Sequence, residues 1–514
     1  MRILVIGSGI AGLTTALLAD QDGHEVTVLT KTDDPLICNS RYAQGGIVYN
    51  APEDKPDLLY NDILNAGSSM TLPAAARLLA EQGPSILKKV LLDTVKVPFA
   101  RRNGDFALAG EGAHSLKRIL YSGDNTGEVI ITALLDYIKK YTSVKFKSRR
   151  MVLDLITIPH HSADPVSVYD RNFCLGAYVY NFKKNKVKKY FADKVVLATG
   201  GIGQVYKHTT NPECATGDGL ALAKRAGARI VNMEYTQFHP TTLAFKEAGN
   251  FLISEALRGE GAVILNKNGE DFIAKFDKRG SLAPRDIVSR AIQSELSNKR
   301  SDYVLLSLTD MEDSFIEKRF PGIFKKCRQY GIDIRHEPIP VVPAFHFSVG
   351  GVLTGLNGRT SIANLYAVGE VACTGVHGAN RLASTSLLEG VVFAAQAVND
   401  MHAHPGDLRH REKEIKEWDQ PSGREQADPV LLNQEWEVLK TIMWNYVGIS
   451  RRQLLLSRAL IRLNGMQEEI DSLYRESRIS KKLSEFRNAV TVSRIIADSA
   501  LKNKSSIGCH YRVD

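Results

Sequence analysis

Three glycines spaced Gly7-x-Gly9-x-x-Gly12 follow the apolar run Ile3 to Ile6 and precede the helix-like stretch AGLTTALLADQDG. Between a strand and a helix, this spacing permits a tight turn and lets a pyrophosphate approach the helix N-terminus, so it points to dinucleotide binding. NAD-binding folds ordinarily place an acid at the end of the second strand to hold a ribose hydroxyl. Thr30 and Lys31 stand there instead, and Asp33 and Asp34 come too late to replace it, which disfavours NAD. A second kind of chemistry is suggested by Arg285. It follows Pro284 at the predicted first turn of a helix whose apolar face is Ile287, Val288, Ala291 and Ile292, so the guanidinium points away from that face. Its planar fork suits a carboxylate ligand.

Further along the chain, Asn39-Ser40-Arg41-Tyr42-Ala43-Gln44-Gly45-Gly46 resembles the second FAD-contacting segment of the succinate dehydrogenase and fumarate reductase flavoprotein family. Ala215-Thr216-Gly217-Asp218-Gly219, Gln237-Phe238-His239-Pro240-Thr241, Pro284-Arg285-Asp286, His346 to Gly351 and Gly378-Ala379-Asn380-Arg381-Leu382-Ala383 match the same family in order and spacing. The resemblance covers nearly the whole chain. It implies that FAD is held by Ser8, Gly9, Ile10, Ala11, Lys31, the Asn39–Gly46 loop, Asp218, Glu370, Ser386 and Leu387, with Met151 and Val152 beside the adenine. Glu370, just after the strand-like NLYAVG, can accept hydrogen bonds from ribityl hydroxyls. No histidine lies between Ser40 and Gly46, where the respiratory members attach the flavin, so FAD is expected without a covalent link.

The family's substrates are small dicarboxylates, and the resemblance assigns His239, Thr242, Arg285, His346 and Arg381 to binding and catalysis. One further residue separates possible substrates. Glu111, in Glu111-Gly112-Ala113-His114-Ser115, puts an acid where the succinate enzymes carry an uncharged amide. Aspartate differs from succinate by an ammonium on the reacting carbon, and a cationic site repels that charge unless a carboxylate lies near. With that acid, the resemblance implies L-aspartate as substrate and iminoaspartate as product, with oxygen or fumarate taking the electrons and a transient hand-over to quinolinate synthase. The tail Gly508-Cys509-His510-Tyr511 also resembles the members of the family that act on aspartate. The resemblance assigns proton transfer to Arg285; a guanidinium suits donation to fumarate, whereas a histidine or solvent is better suited to deprotonate the amine. Two rivals remain: a soluble fumarate reductase, which has no need of Glu111, and a flavin-binding scaffold that performs no oxidation.

These residues require an α/β architecture. Strand ILVIG, a helix and strand VTVLT open a parallel sheet, to which KVVLATGG and NLYAVGE add later strands, so a Rossmann-like FAD-binding domain is discontinuous over 1–233 and 348–400. An α+β capping domain over 234–347 is inserted in it. After Gln396 the sequence turns charged and irregular, giving an expected linker over 401–428, and a helical bundle over 429–514 carries apolar residues such as Leu483, Phe486 and Val490 at helical spacing.

Bulk properties fit this reading. The 514 residues exceed one compact domain, and no apolar run reaches the roughly 18 residues of a membrane helix. Six scattered cysteines form no C-x-x-C pair, which argues against a disulfide framework or a metal centre and suits the cytoplasm. The net charge of +9 includes the run Lys183 to Lys189, which reads as a solvated hairpin rather than a nucleic-acid surface.

Overall fold

The computed structural model describes residues 1–514 apart from 250, 300, 309, 407–408 and 420–424. Near-continuous apolar runs bounded by glycine turns become parallel strands buried on both faces. β1 (Arg2–Ile6), α1 (Ile10–Gln21) and β2 (Glu25–Leu29) form the first βαβ unit, followed later by β3 (Lys145–Lys147). β4 (Arg150–Ile158), β5 (Phe173–Asn181) and β6 (Lys186–Phe191) make an antiparallel sheet. Lys183, Lys184, Lys186 and Lys188 are exposed around its β5–β6 turn, as a solvated hairpin requires. β7 (Lys194–Leu197) then rejoins the parallel sheet.

Next come β8 (Thr236–Leu243), α2 (Glu255–Gly259), β9 (Val263–Leu265), α3 (Arg285–Lys299), β10 (Val304–Ser307), α4 (Pro321–Arg328) and β11 (Ile339–Ser348). Their strands pair antiparallel in the order β8-β11-β10-β9 over a core that includes Leu257, Ile264, Val288, Ile292 and Val341. β12 (Leu365–Ala367) completes the parallel sheet, whose order is β12-β7-β1-β2-β3, with Val5 registered against Val28 and Val196. α5 (Thr385–Ala403) packs on α1. α6 (Pro429–Tyr446), α7 (Gln453–Glu476) and α8 (Lys481–Lys502) form the closing bundle. The strand order puts the glycine turn after β1 at the middle of the sheet, at the carboxyl ends of its strands, where open α/β sheets bind ligands.

Two expectations change. The chain does not become irregular after Gln396: α5 continues to Ala403 because Ala397, Val398 and Met401 keep an apolar stripe buried against the sheet. The segment expected to be a linker is not free of the rest. Ile415 is buried and Trp418 lies 5.1 Å, ring to ring, from Tyr178 of β5, while 407–408 and 420–424 lie outside the described residues. Among the described residues no helix is long and apolar enough to cross a membrane.

Candidate active site

The turn after β1 is shaped by close backbone approach. Gly7 has φ +117°, and a Cβ there would lie 2.1 Å from the carbonyl oxygen of Ala198 at the end of β7. Only glycine fits, so α1 starts directly above the sheet edge. Ser40 reaches this turn, its Oγ accepting from the Ile10 N–H at 3.2 Å. Around the turn opens a cavity of about 1380 Å³, counting the space continuous with solvent. Ser8, Gly9, Ile10, Ala11, Lys31, Asn39, Ser40, Tyr42, Ala43, Met151, Val152, Asp218, Glu370, Ser386 and Leu387 all line it, and His346, Phe347 and Arg381 line it as well.

The wall is chemically matched to a polyhydroxylated dinucleotide. Thr199 lines the cavity, and its buried Oγ1 has no hydrogen-bond partner among the described residues. Glu370 accepts from the Ser348 N–H at 3.0 Å and from Asn39 Nδ2 at 3.0 Å. Burial pushes its carboxyl up to about 7. The residues present fit FAD: a helix N-terminus for the pyrophosphate, a carboxylate and amide for hydroxyls, and an apolar slot at Val152 and Leu222.

Not every residue of the glycine-rich loop faces this cavity. Arg41 points to Glu128 at 2.6 Å, and Gln44 lines a separate surface cleft. Gly45 and Gly46 are packed behind the wall, where a Cβ on Gly45 would lie 2.2 Å from Glu111 Oε1. Gly45 thus makes room for an acid. Lys31 is likewise committed: its ammonium meets Asp218 at 2.6 Å, Glu485 of α8 at 2.8 Å and Thr216 Oγ1 at 2.5 Å. Burial alone would lower its pKa, but the two carboxylates outweigh this and hold it above the ordinary lysine value.

At one end of the cavity a buried charged cluster collects residues from distant parts of the chain. Arg285, the first residue of α3, and Arg381, from the loop before α5, are 8% and 4% exposed. Both donate to Gln237 Oε1 of β8 at 3.1 Å. Arg285 also pairs through Nε with Glu255 of α2, whose other oxygen lies 3.1 Å from Arg258. Burial pushes Glu255 up, but Arg285 and Arg258 outweigh it, so the carboxyl titrates below its ordinary range. Arg381 is pushed down to about 9 by burial and then by Arg285.

His239 and His346 stand beside these arginines with ring centres 5.1 Å apart. Burial, then the positive charge of Arg285, holds both well below the ordinary histidine value, so both are neutral at pH 7. His239 Nδ1 is held by the backbone of Thr241, 3.1 Å from its carbonyl oxygen and 3.2 Å from its N–H, which leaves Nε2 as the ring nitrogen free for a ligand. His346 Nδ1 is 2.8 Å from Thr210 Oγ1. Glu111 is buried too, with Oε2 accepting from Ser384 Oγ at 2.7 Å. Burial and the nearby Glu255 push its carboxyl above the ordinary glutamate value against the pull of Ser384, Arg285 and Arg381.

Thr242 departs from the expected site. The register shift between His239 and Thr242 on β8 turns its hydroxyl to the Val342 carbonyl of β11, 2.8 Å away, and leaves the residue fully buried. It has no proton left to offer a carboxylate. Conversely, Glu255, Arg258 and Gln237 were not singled out from the sequence. The signal for the first two was present in Ser254-Glu255-Ala256-Leu257-Arg258-Gly259, where an acid and a base sit three apart in one helical turn.

Comparison with known proteins decides the family. The family model described as FAD binding domain matches residues 2–387, and that described as fumarate reductase flavoprotein C-term matches 436–514. L-aspartate oxidase 1 of Ralstonia nicotianae is 42% identical, with 100% of this chain and 95% of that protein covered. The chain belongs to the L-aspartate oxidase branch of the succinate dehydrogenase and fumarate reductase flavoprotein family. L-aspartate oxidase of Yersinia pestis, a second member of the branch, is 41% identical over 100% of this chain and 95% of its own length. Among solved structures, a variant of FrdA from E. coli quinol fumarate reductase superposes with a TM-score of 0.87 at 26% identity, covering 100% of this chain and 91% of that one. As a member of this family the chain is a flavoprotein whose cofactor is FAD. The buried cluster lies at the end of that cofactor's cavity.

Proposed function

We propose that the chain oxidises L-aspartate to iminoaspartate, with oxygen or fumarate as electron acceptor, the reaction that opens NAD biosynthesis through quinolinate. The observation that carries this reading is the buried carboxylate of Glu111, which accepts from Ser384, whereas the other acid of the cluster, Glu255, is paired with Arg285 and Arg258. Arg285 and Arg381 each have the fork to pair with a carboxylate, which suits the two ends of a dicarboxylate. Glu111 then faces the α-ammonium. Its raised pKa in the free protein falls when that cation binds, because an adjacent positive charge favours the ionised form.

Bound FAD supplies the two-electron acceptor for the hydride that leaves Cα. The chain's own groups do the rest. Arg285 and Arg381 clamp the substrate and fix Cα against the cofactor cavity. His239 turns its Nε2 to the substrate, and being neutral it adds no charge that would repel the ammonium. The buried setting limits water near the hydrolysable imine. In the opposite direction, reduction of fumarate needs a proton, and Arg285 is the group placed to give it. Glu255, shared by Arg285 and Arg258, offers a route by which that proton is replaced. The absence of a histidine from Ser40 to Gly46 supports a cofactor held without a covalent bond. The lability of an imine favours prompt hand-over to the enzyme that consumes it, in the cytoplasm.

Glu111→Gln tests the reading. It preserves shape and removes the charge, so the KM for aspartate should rise about ten- to a hundredfold, the value of one or two charged hydrogen bonds. The KM for fumarate should change little. Equal effects on both substrates would make the chain a fumarate reductase instead.

A further inference from the structure

We propose that Gln237 is a positioning residue that sets the spacing of the two substrate arginines, and that the C-terminal tail holds Gln237 in place through Asn380 and Cys509. This rests on the dicarboxylate reading above. Gln237 is fully buried on β8 and spends its whole hydrogen-bonding capacity. Oε1 accepts from Arg285 and from Arg381, both at 3.1 Å, while Nε2 donates to Asn380 Oδ1 at 2.7 Å and to the Arg381 carbonyl at 2.9 Å. The reverse orientation would aim an NH₂ at two guanidiniums.

The amide solves a specific problem. Two guanidiniums drawn into one buried site repel, and a shared acceptor fixes their separation. A carboxylate would do so more strongly, but it would cancel a charge that the dianionic substrate needs. A neutral amide aligns both arginines and cancels no more of their charge than Glu255 already does at Arg285. An apolar side chain would leave two buried N–H groups unpaired.

Behind Gln237 stands the tail, whose motif the proposed reaction does not use. Cys509 Sγ is 3.2 Å from Asn380 Oδ1, and burial raises the thiol pKa, so its S–H remains to donate. The Cys509 N–H donates to the Ala379 carbonyl at 3.0 Å. Asn380 Nδ2 donates to Asp286 at 3.0 Å, and Arg290 joins Asp286 to the Gly508 carbonyl, each at 3.0 Å. On the other side His510 Nδ1 lies 2.6 Å from Arg451, which donates to Thr236, the neighbour of Gln237, at 2.6 Å. The tail therefore reaches Gln237 through Asn380 and the neighbouring Thr236 through Arg451.

The test is succinate binding to the FAD-loaded enzyme, read from the flavin spectrum, together with the KM and kcat for aspartate. Gln237→Glu, which keeps the shape, should weaken succinate at least about tenfold, the worth of one charge-assisted contact, with the FAD content and melting temperature of the wild type. Gln237→Leu should also weaken it and lower kcat, since both arginines lose their shared acceptor. Cys509→Val should weaken succinate by a smaller factor, about threefold, and Cys509→Ser should restore it, as expected for one neutral hydrogen bond. Wild-type affinity in Gln237→Glu, or in Gln237→Leu where it folds, would overturn the positioning role while leaving the dicarboxylate reading intact. A wild-type enzyme that neither binds succinate nor is reduced by aspartate would overturn both.

Discussion

Glu370 carries a pH dependence that follows from its surroundings. Its carboxyl is pushed up to about 7 in the protein without ligand, chiefly by burial. Sugar hydroxyls donating to it favour the ionised form, so its pKa falls when FAD binds. A group whose pKa is lower in the complex releases a proton on binding, and affinity then rises with pH until the free-state value is passed. The affinity of the apoprotein for FAD should therefore climb between about pH 5 and 7 and level off above, and Glu370→Gln should flatten the curve. A titration series across that range checks it. Arg285→Lys offers a second test: a lysine can neither pair bidentately with a carboxylate nor keep both Glu255 and Gln237, so fumarate reduction should fall by orders of magnitude with FAD still bound. At this scale the sequence made His239, Arg285, His346 and Arg381 legible because each sits in a distinctive motif. It misled at Thr242, since a register shift between paired strands leaves no local mark. It placed Gln237 in a motif without a role, because that role comes from where two distant arginines point.

Among the elements, α8 shows how the bundle reaches the cofactor. Asn488 donates to Asp218 at 2.9 Å and accepts from Arg225 at 2.9 Å, while Glu485 meets Lys31 at 2.8 Å. Asp218 and Lys31 both line the FAD cavity, so a helix near the C-terminus orients side chains that belong to the first sheet. Asn488→Ala should remove one of the contacts that orient Asp218 and weaken FAD about fivefold, less than the full worth of a hydrogen bond to a charged group because Lys31 and Thr216 still hold the carboxylate. Fluorescence quenching of FAD by apoprotein would show it, and an unchanged affinity would mean that α8 only packs. The strand, glycine turn and helix at the N-terminus were readable from composition and spacing alone, as was the amphipathic period of α8. Their meeting was not, because hydrogen bonds across such sequence separation depend on the path of the whole chain. The overrun of α5 past Gln396 has a simpler cause: charged residues next to Met401 hide a buried stripe that continues for another two turns.

Across the molecule, the elements from β8 to β11 are fastened over the cofactor cavity by contacts outside it. Arg319 stacks 3.9 Å over Tyr121 and donates to the Gly123 carbonyl at 2.6 Å. Asp124 caps the start of α4, accepting from the Gly322 and Ile323 N–H groups at 3.1 and 2.7 Å. Arg285, Glu255 and His239 come from this capping part, whereas Glu111 and Arg381 come from the parts it covers, so the charged cluster exists only when the two are together. Arg319→Ala should raise the aspartate KM about tenfold, as loss of a buried cation–π contact and a hydrogen bond implies, without loss of FAD. All of this serves one claim, that the FAD-loaded chain takes electrons from L-aspartate. The most direct test is the visible spectrum of the purified holoenzyme titrated without oxygen by L-aspartate and, separately, by succinate. The flavin absorption should bleach with L-aspartate, while succinate only perturbs it as a bound ligand. Bleaching by succinate alone, or by neither, would contradict that claim.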